Sequence, residues 1–469
     1  MNFERKAKNY FGEVVINKTL MQKAGFSSRA IPTFVGEWIL SSFIKEDKLN
    51  DETRQKISLF LNKYFPTKSR KEEIKNRLLN FDRVKLLDDY RVFVNLKTGD
   101  RRLKIPFLDM DNCRISDNII KENEMLLTSG VWGVGELMYT PPSDNKDKGE
   151  VWLRDFKPFQ VGYIDLEYYK ECRKHFNHEE WINLIVSSMG FNPTIYSNRE
   201  KLLLITRILP IVEPRVNLIE LAPKGTGKSY IYNNVSRYAR VVGGGKITPA
   251  VMFHNLNTNT PGLITRYDLI VLDEVQSVSG DSKGELISGL KGYLESGKFS
   301  RGNTEATSEA GFVILGNITL NENKIPAYQE EGIFNEIPNF LQETAFIDRI
   351  HGLIPGWELP RVSKNTPSNK LGLKADFFSE VLHQLRDEVE YSDFVKVNMN
   401  LKNCDDLRDS KAITRLATAY LKIIFPDLNL SLEEFNEHCL KPAVEMRQRI
   451  RDELYKMDDE YEKVNIEIR

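Results

Sequence analysis

Asn217 to Tyr230 reads NLIELAPKGTGKSY, and this stretch decides the fold. An apolar run (Leu218, Ile219, Leu221) enters a loop holding Gly225 and Gly227, then Lys228 and Ser229. A helix-compatible segment, YIYNNVSRYAR, follows. Strand, glycine loop and helix in that order form the context a phosphate-binding loop needs. The chain from Ala222 through Pro223, Lys224, Gly225, Thr226 and Gly227 can close its backbone N–H groups around phosphate oxygens. Lys228 then reaches the β and γ phosphates, Ser229 can hold Mg²⁺, and the helix start around Ser229 and Tyr230 adds partial positive charge. The expected ligands are ATP and Mg²⁺. The first glycine of the usual motif is replaced by Ala222, which suits the turn only if its φ stays negative.

A second stretch strengthens this reading. Asp268 to Glu274 reads DLIVLDE, four apolar residues ending in paired carboxylates. A continuous apolar run suits a strand buried on both faces of a parallel sheet. Asp273 at its end is placed to support the metal, and Glu274 to polarise an attacking water. Downstream, GELISGLKGYLESGKF reads as a helix, SGKFSRGNTEATSEAG as a polar loop, and GFVILGN as an apolar strand ending in Asn317. Alternating strands and helices predict a largely parallel sheet with helices on both faces. VVGGGK, residues 241–246, lacks the following Ser/Thr and helix start of a second phosphate loop.

The 469 residues allow several domains. Apolar residues at 41% and charged residues at 28% fit a globular chain rather than a disordered one. With a net charge of −1, any nucleic-acid surface must be a local basic patch. Cys113, Cys172, Cys404 and Cys439 are scattered without a CxxC, which argues for a reducing compartment. No signal core or membrane-length apolar run is present, so the expectation is a cytoplasmic protein with no membrane partner.

Residues 1–80 read as a helical region, with KSRKEEIKNRLLN as a charged, solvated face. Residues 81–165 switch to short alternating segments, a small antiparallel β domain that could be an OB-like barrel. Arg91, Phe93, Arg101, Arg102 and Lys104 are its candidate nucleic-acid contacts. Residues 166–195 form a helical linker. There Cys172, His175 and His178 recur every third residue, but no second cluster completes a metal site. RDSKAITRLATAYLKIIFP is amphipathic, and residues 441–469 form a charged helical tail.

The order of motifs resembles the AAA+ ATPases. That resemblance implies an ATPase core over 196–360 and a helical lid over 361–440. It puts Asn317 at the polar sensor position that helps place the water, and Arg349, in FIDRIHG, at the arginine finger lent to a neighbouring subunit. A second sensor falls in the helix from Arg408 to Arg415, with Lys411 first choice and Arg415 and Arg408 the others. Further stretches (FGEVVINKTLMQKAG, AFIDRIHGLIPGWELP and RDSKAITRLATAYLKIIFP) are similar to the Lon-related BrxL family of BREX phage-defence systems. Membership implies a DNA-binding ATPase assembled as a ring, usually of six subunits and possibly stacked, working with other BREX proteins. Likeness to DNA-encircling helicases directs attention to Lys298 and Arg301 in SGKFSRG as pore contacts. Longer relatives carry a Lon-type protease domain; residues 441–469 are too few for one, so peptide hydrolysis is not expected. The rival readings are a protein unfoldase gripping through Phe299 and an ATP-gated DNA clamp without a motor.

Overall fold

The computed structural model describes residues 2–469 except 25, 27–30, 45–48, 97, 129, 143–147, 160–163, 244–246, 257–259, 278–282 and 303. Part of the glycine run at 241–246, and part of the polar stretch SDNKDKGE at 143–150, whose composition suits a hairpin tip, therefore lie outside the described residues. The chain divides into two compact units: Thr19–Ile164, and Met1–Lys18 together with Asp165–Arg469.

In the smaller unit, helices Thr33–Phe43, Asp51–Tyr64 and Lys71–Leu79 precede a closed five-stranded barrel. Its strands are β1 (Val84–Asn95), β2 (Asp100–Ile105), β3 (Met110–Ile115), β4 (Val131–Thr140) and β5 (Glu150–Pro158), in the order β1-β2-β3-β5-β4. The long β1 closes the barrel, because its first half pairs with β4 and its second half with β2. Only β3 and β5 run parallel. A short helix, Asp117–Glu122, bridges β3 and β4, its first turn capped by Ser116. Alternate residues of β4 point inward, as period-two patterning requires. Gly135 sits where a side chain would run into the Tyr90 ring, so this inward position has room only for glycine.

The first eighteen residues belong to the larger unit, not to a helical domain over 1–80. The reason is burial: Phe3, Ala7 and Phe11 on helix Phe3–Phe11 are covered, Phe11 among Tyr169, Trp181 and Phe377. Val15–Asn17 then pairs antiparallel with Leu371–Leu373.

The larger unit is built on β6 (Asn217–Ala222), β7 (Ala239–Val242), β8 (Leu269–Leu272), β11 (Gly311–Asn317) and β12 (Gly352–Pro355). All neighbours are parallel, in the order β12-β6-β11-β8-β7. Every residue of β6 and β8 is buried, as expected for strands covered on both faces. Between β8 and β11 come helix α2 (Lys283–Ser296) and a hairpin, β9 (Lys298–Arg301) with β10 (Thr304–Thr307). Helix α1 (Lys228–Asn234) follows β6, and α3 (Leu407–Ile424) and α4 (Lys441–Met457) come later. Ile450 and Leu454 of α4 join Ile219, Ile270, Phe312, Leu290 and Phe346 in one core. The charged tail is thus a packing helix. No helix among the described residues is long and apolar enough to cross a membrane.

Candidate functional site

Parallel strands deliver their C-terminal ends to one edge of the sheet, and the two motif stretches meet there. Ala222 is the last residue of β6, in extended conformation, opposite Asn317 at the end of β11. The positive backbone angles fall instead on Gly225 (φ 84°) and Gly227 (φ 76°), where glycine has no steric penalty. Ala222 therefore does not need the freedom of the glycine it replaces. Gly356, packed so that a Cβ would lie 2.5 Å from that of Ala222, takes the close approach instead.

Gly227 caps α1, so Lys228, Ser229 and Tyr230 form its first turn. Lys228 Nζ donates to the carbonyl oxygens of Ala222 (2.9 Å) and Gly316 (3.3 Å) and to Asn317 Oδ1 (3.2 Å). Burial pulls the Lys228 pKa below the ordinary lysine value. Ser229 Oγ donates to Asp273 Oδ2 at 2.5 Å. Two oxygen donors in contact at the foot of a phosphate loop suit a hard divalent cation such as Mg²⁺. Glu274 occupies the left-handed region (φ 50°), with its N–H bonded to Asp273 Oδ1 at 2.9 Å. Pro223 and Lys224 lie in the loop itself, and Thr226 is buried.

Beneath the loop lies a feature that the motifs did not reveal. Arg207 and Glu220, both completely buried, form a two-pronged ion pair: Nε–Oε2 3.0 Å and Nη2–Oε1 2.6 Å. Arg207 Nη1 also donates to the Thr226 carbonyl at 3.2 Å, tying the pair to the loop backbone. The signal was visible: one acid inside the apolar run NLIELA and one arginine inside LLLITRILPIV. Charges almost never sit in such runs unless they are paired.

Arg349 and the second-sensor candidates do not reach this edge. The His351 N–H bonds Asn217 at the start of β6, so Arg349 lies beyond the opposite end of that strand. Six residues of strand span about 17 Å, which separates Arg349 from its own phosphate loop. Arg415 donates to the Pro214 carbonyl, and Arg408 pairs with Asp348 at 2.7 Å, also at this far edge. Lys411, exposed on the same helix between them, goes with them. The helix that carries the second-sensor candidates forms over Leu407–Ile424, and it stands at the edge of the sheet away from the chain's own phosphate loop. The segment carrying Arg349 is held by buried Arg447, which binds Asp348 Oδ1 (2.8 Å), Asp409 Oδ1 (2.6 Å) and the Ile350 carbonyl (2.7 Å). His351 is half-buried, and its desolvation holds the pKa well below the ordinary imidazole value, while its Nδ1 accepts the Asn217 N–H at 2.8 Å.

The loop expected after α2 is a hairpin. Lys298 is exposed on it, while Arg301 is held by Glu285 (3.2 Å) and the His254 carbonyl. Phe299 points inward against Phe253. On the barrel, Arg91 pairs with Asp89, Arg101 with Asp117 and Arg102 with Glu150, while Lys104 is exposed and Phe93 half-buried. Among Cys172, His175 and His178, Cys172 is buried and His175 stacks on Tyr10. No group of three or more ligating side chains able to hold a metal ion occurs among the described residues.

A parallel sheet bearing a glycine loop, lysine and serine at the end of β6, with the acid-tipped β8 on the far side of β11, marks the larger unit as an ATPase-type α/β domain. Residues 151–467 match the family described as "Lon-like protease BrxL-like, ATPase domain", and residues 9–139 match "BREX system Lon protease-like protein BrxL N-terminal". The chain belongs to this BrxL-like family, whose ATPase domain has an AAA+-like fold. It is 30% identical to the Lon-like protease BrxL of Escherichia coli O9:H4 (strain HS) over 96% of its own length. It is 29% identical to that of Bacillus cereus (strain H3081.97) over the same share. The chain spans about two thirds of the length of these curated relatives, 64% and 66%.

Proposed function

We propose that the chain is an ATP-hydrolysing, DNA-binding subunit of a ring that acts in BREX-type phage defence. The observation that carries the catalytic half is the convergence at one sheet edge of Lys228, Asn317, Ser229 and Asp273, within 2.5–3.3 Å of one another or of the strand-end carbonyls of Ala222 and Gly316. The N–H groups of Gly225, Gly227 and the first turn of α1 bind phosphate oxygens, and Lys228 exchanges its carbonyl partners for the β and γ phosphates. Ser229 and Asp273 hold Mg²⁺, which when bound offsets charge on the phosphates. Glu274 takes the proton of the attacking water or orients it, and Asn317 holds the γ-phosphate side of the pocket. Arg349, too far from its own loop, serves the pocket of a neighbouring subunit, where its guanidinium offsets charge developing on the transferred phosphoryl group. Ring assembly follows from this: the pocket is incomplete in a single copy.

DNA binding rests on two supports. A five-stranded barrel with parallel β3 and β5 and a helix between β3 and β4 resembles the OB barrels, whose second and third strands offer a binding face; here β2 carries Arg102 and Lys104 on its outward side and exposed Arg101 near its start. The hairpin after α2 offers exposed Lys298, a point charge for phosphates. The unfoldase reading loses its gripping aromatic, because Phe299 is buried.

Glu274→Gln is expected to keep ATP binding and lose at least about 100-fold in turnover, in line with the removal of a general base. Mixing Lys228→Ala with Arg349→Ala subunits should restore part of the activity that each lacks alone. Wild-type turnover by Glu274→Gln, or no rescue in mixed rings, refutes the corresponding role. Duplex DNA that neither binds nor changes turnover removes the DNA half.

A further inference from the structure

The far edge of the sheet holds a charge arrangement that the catalytic reading leaves unexplained. Arg349 Nε lies 2.8 Å from Glu295 Oε2, on the last turn of α2. The same oxygen lies 3.3 Å from Arg408 Nη2. One carboxylate therefore faces two guanidinium groups. The two arginines are anchored differently. Arg408 has a second carboxylate, Asp348, whose side chain is buried and locked by Arg447. Among the described residues, the second contact of Arg349 is to a backbone carbonyl, that of Ala345, one turn back. Its Nε lacks hydrogen-bond alignment with Glu295, so the contact is an ion pair without the directional term. Glu295 is half-exposed, whereas the Arg349 side chain is mostly covered. A close but misaligned ion pair whose carboxylate stays half-exposed to water is a weak and exchangeable one.

We infer that Glu295 is an intramolecular stand-in for the triphosphate: it pairs with Arg349 and Arg408 in the separate chain and gives both up to a nucleotide held by a second copy of this chain. The inference rests on Arg349 acting across a subunit boundary and adds three things to that reading. It makes Arg408 a second positively charged group at the boundary, although it does not reach its own loop. It makes subunit contact an exchange of one anion for another, so that nucleotide in one copy competes with Glu295 of the next. It also explains why these arginines, which would repel each other in an empty interface, are tolerated side by side. ATP, with more negative charge than one carboxylate, wins the exchange; a nucleotide lacking the γ-phosphate competes less well. The contact between copies therefore tightens with ATP and loosens after hydrolysis.

The test uses the full chain as wild type and as Glu295→Gln, Lys291→Gln and Arg349→Ala. Lys291, on the same helix as Glu295, pairs with Glu343 (2.5 Å) and is the control for loss of any ion pair there. Mass photometry across a series of ATPγS concentrations reads the nucleotide needed for half-assembly, and the apparent KM for ATP is measured in parallel. Glu295→Gln is expected to lower both by about two- to five-fold, the range an exposed ion pair supports, while Lys291→Gln leaves them unchanged. Arg349→Ala is expected to raise the half-assembly point and abolish turnover. If Arg349→Ala behaves so but Glu295→Gln matches wild type or Lys291→Gln, the stand-in role is overturned and the trans arginine survives. If Arg349→Ala assembles and turns over as wild type does, both fall.

Discussion

The buried pair under the phosphate loop gives the sharpest physical test of the site. Glu220→Gln leaves the fully buried Arg207 guanidinium without a counter-charge, facing one neutral amide oxygen, the new NH2 group and the Thr226 carbonyl. Removing one member of a buried ion pair costs about 3–5 kcal/mol, because the remaining charge stays desolvated. That is a large part of the roughly 5–15 kcal/mol by which a domain is stable. Arg207→Met should cost a similar amount from the other side and also free the Thr226 carbonyl. The double variant, Arg207→Met with Glu220→Gln, removes both charges and keeps most of the volume. It should be more stable than the sum of the singles by about 2–3 kcal/mol, the coupling expected of groups in contact. The assay is urea unfolding of the four proteins, with ATPγS binding measured at low urea on each. Nucleotide affinity should fall in both variants that lack Arg207, the double variant included despite its recovered stability, because the loop has lost its tether. Single substitutions costing under about 1 kcal/mol, or strict additivity, would refute the claim that this pair holds the loop.

Two further outcomes follow from other parts of the molecule. His178 is half-buried and stacked on His438 at 3.8 Å, and burial brings its pKa down to about 4. The native imidazole stays neutral while the unfolded one gains a proton below its ordinary value of about 6.5, so stability is full above that value and lost as pH falls toward 4; His178→Gln should flatten the thermal midpoint across this window, and an unchanged acid slope would contradict it. Replacing exposed Lys298 by Ala should weaken duplex binding about equally across sequences. It should also reduce the slope of log affinity against log salt by about one unit for each phosphate that Lys298 neutralises; a slope equal to wild type means that the hairpin does not touch phosphate.

Local chemistry made much of the α/β unit legible. DLIVLDE and GFVILGN read as buried strands because parallel strands are apolar on both faces; β8 is buried throughout, and β11 is buried up to Asn317 at its tip. NLIELAPKGTGKS read as strand, turn and helix because glycine alone tolerates the two left-handed positions at 225 and 227. Other features were out of reach. Nothing local marks residues 1–18 as part of the larger unit, since their partners lie from residue 168 to 377. Phe299 stands in a polar stretch and reads as available, but the hairpin turns it onto Phe253.

The amino-acid order by itself determined which residues could meet a triphosphate, because that chemistry needs glycine φ angles, a lysine and an acid at short, recognisable spacings. It also determined the helix on which Arg408, Lys411 and Arg415 stand. Which end of the sheet that helix faces was decided only by tertiary structure. Strand direction sends Ala222, Asp273 and Asn317 to one edge, and the packing of α3 and α4 sends Arg349 and Arg408 to the other. Sequence spacing carries no sign for that choice; it comes from how the apolar faces of the helices close over the sheet.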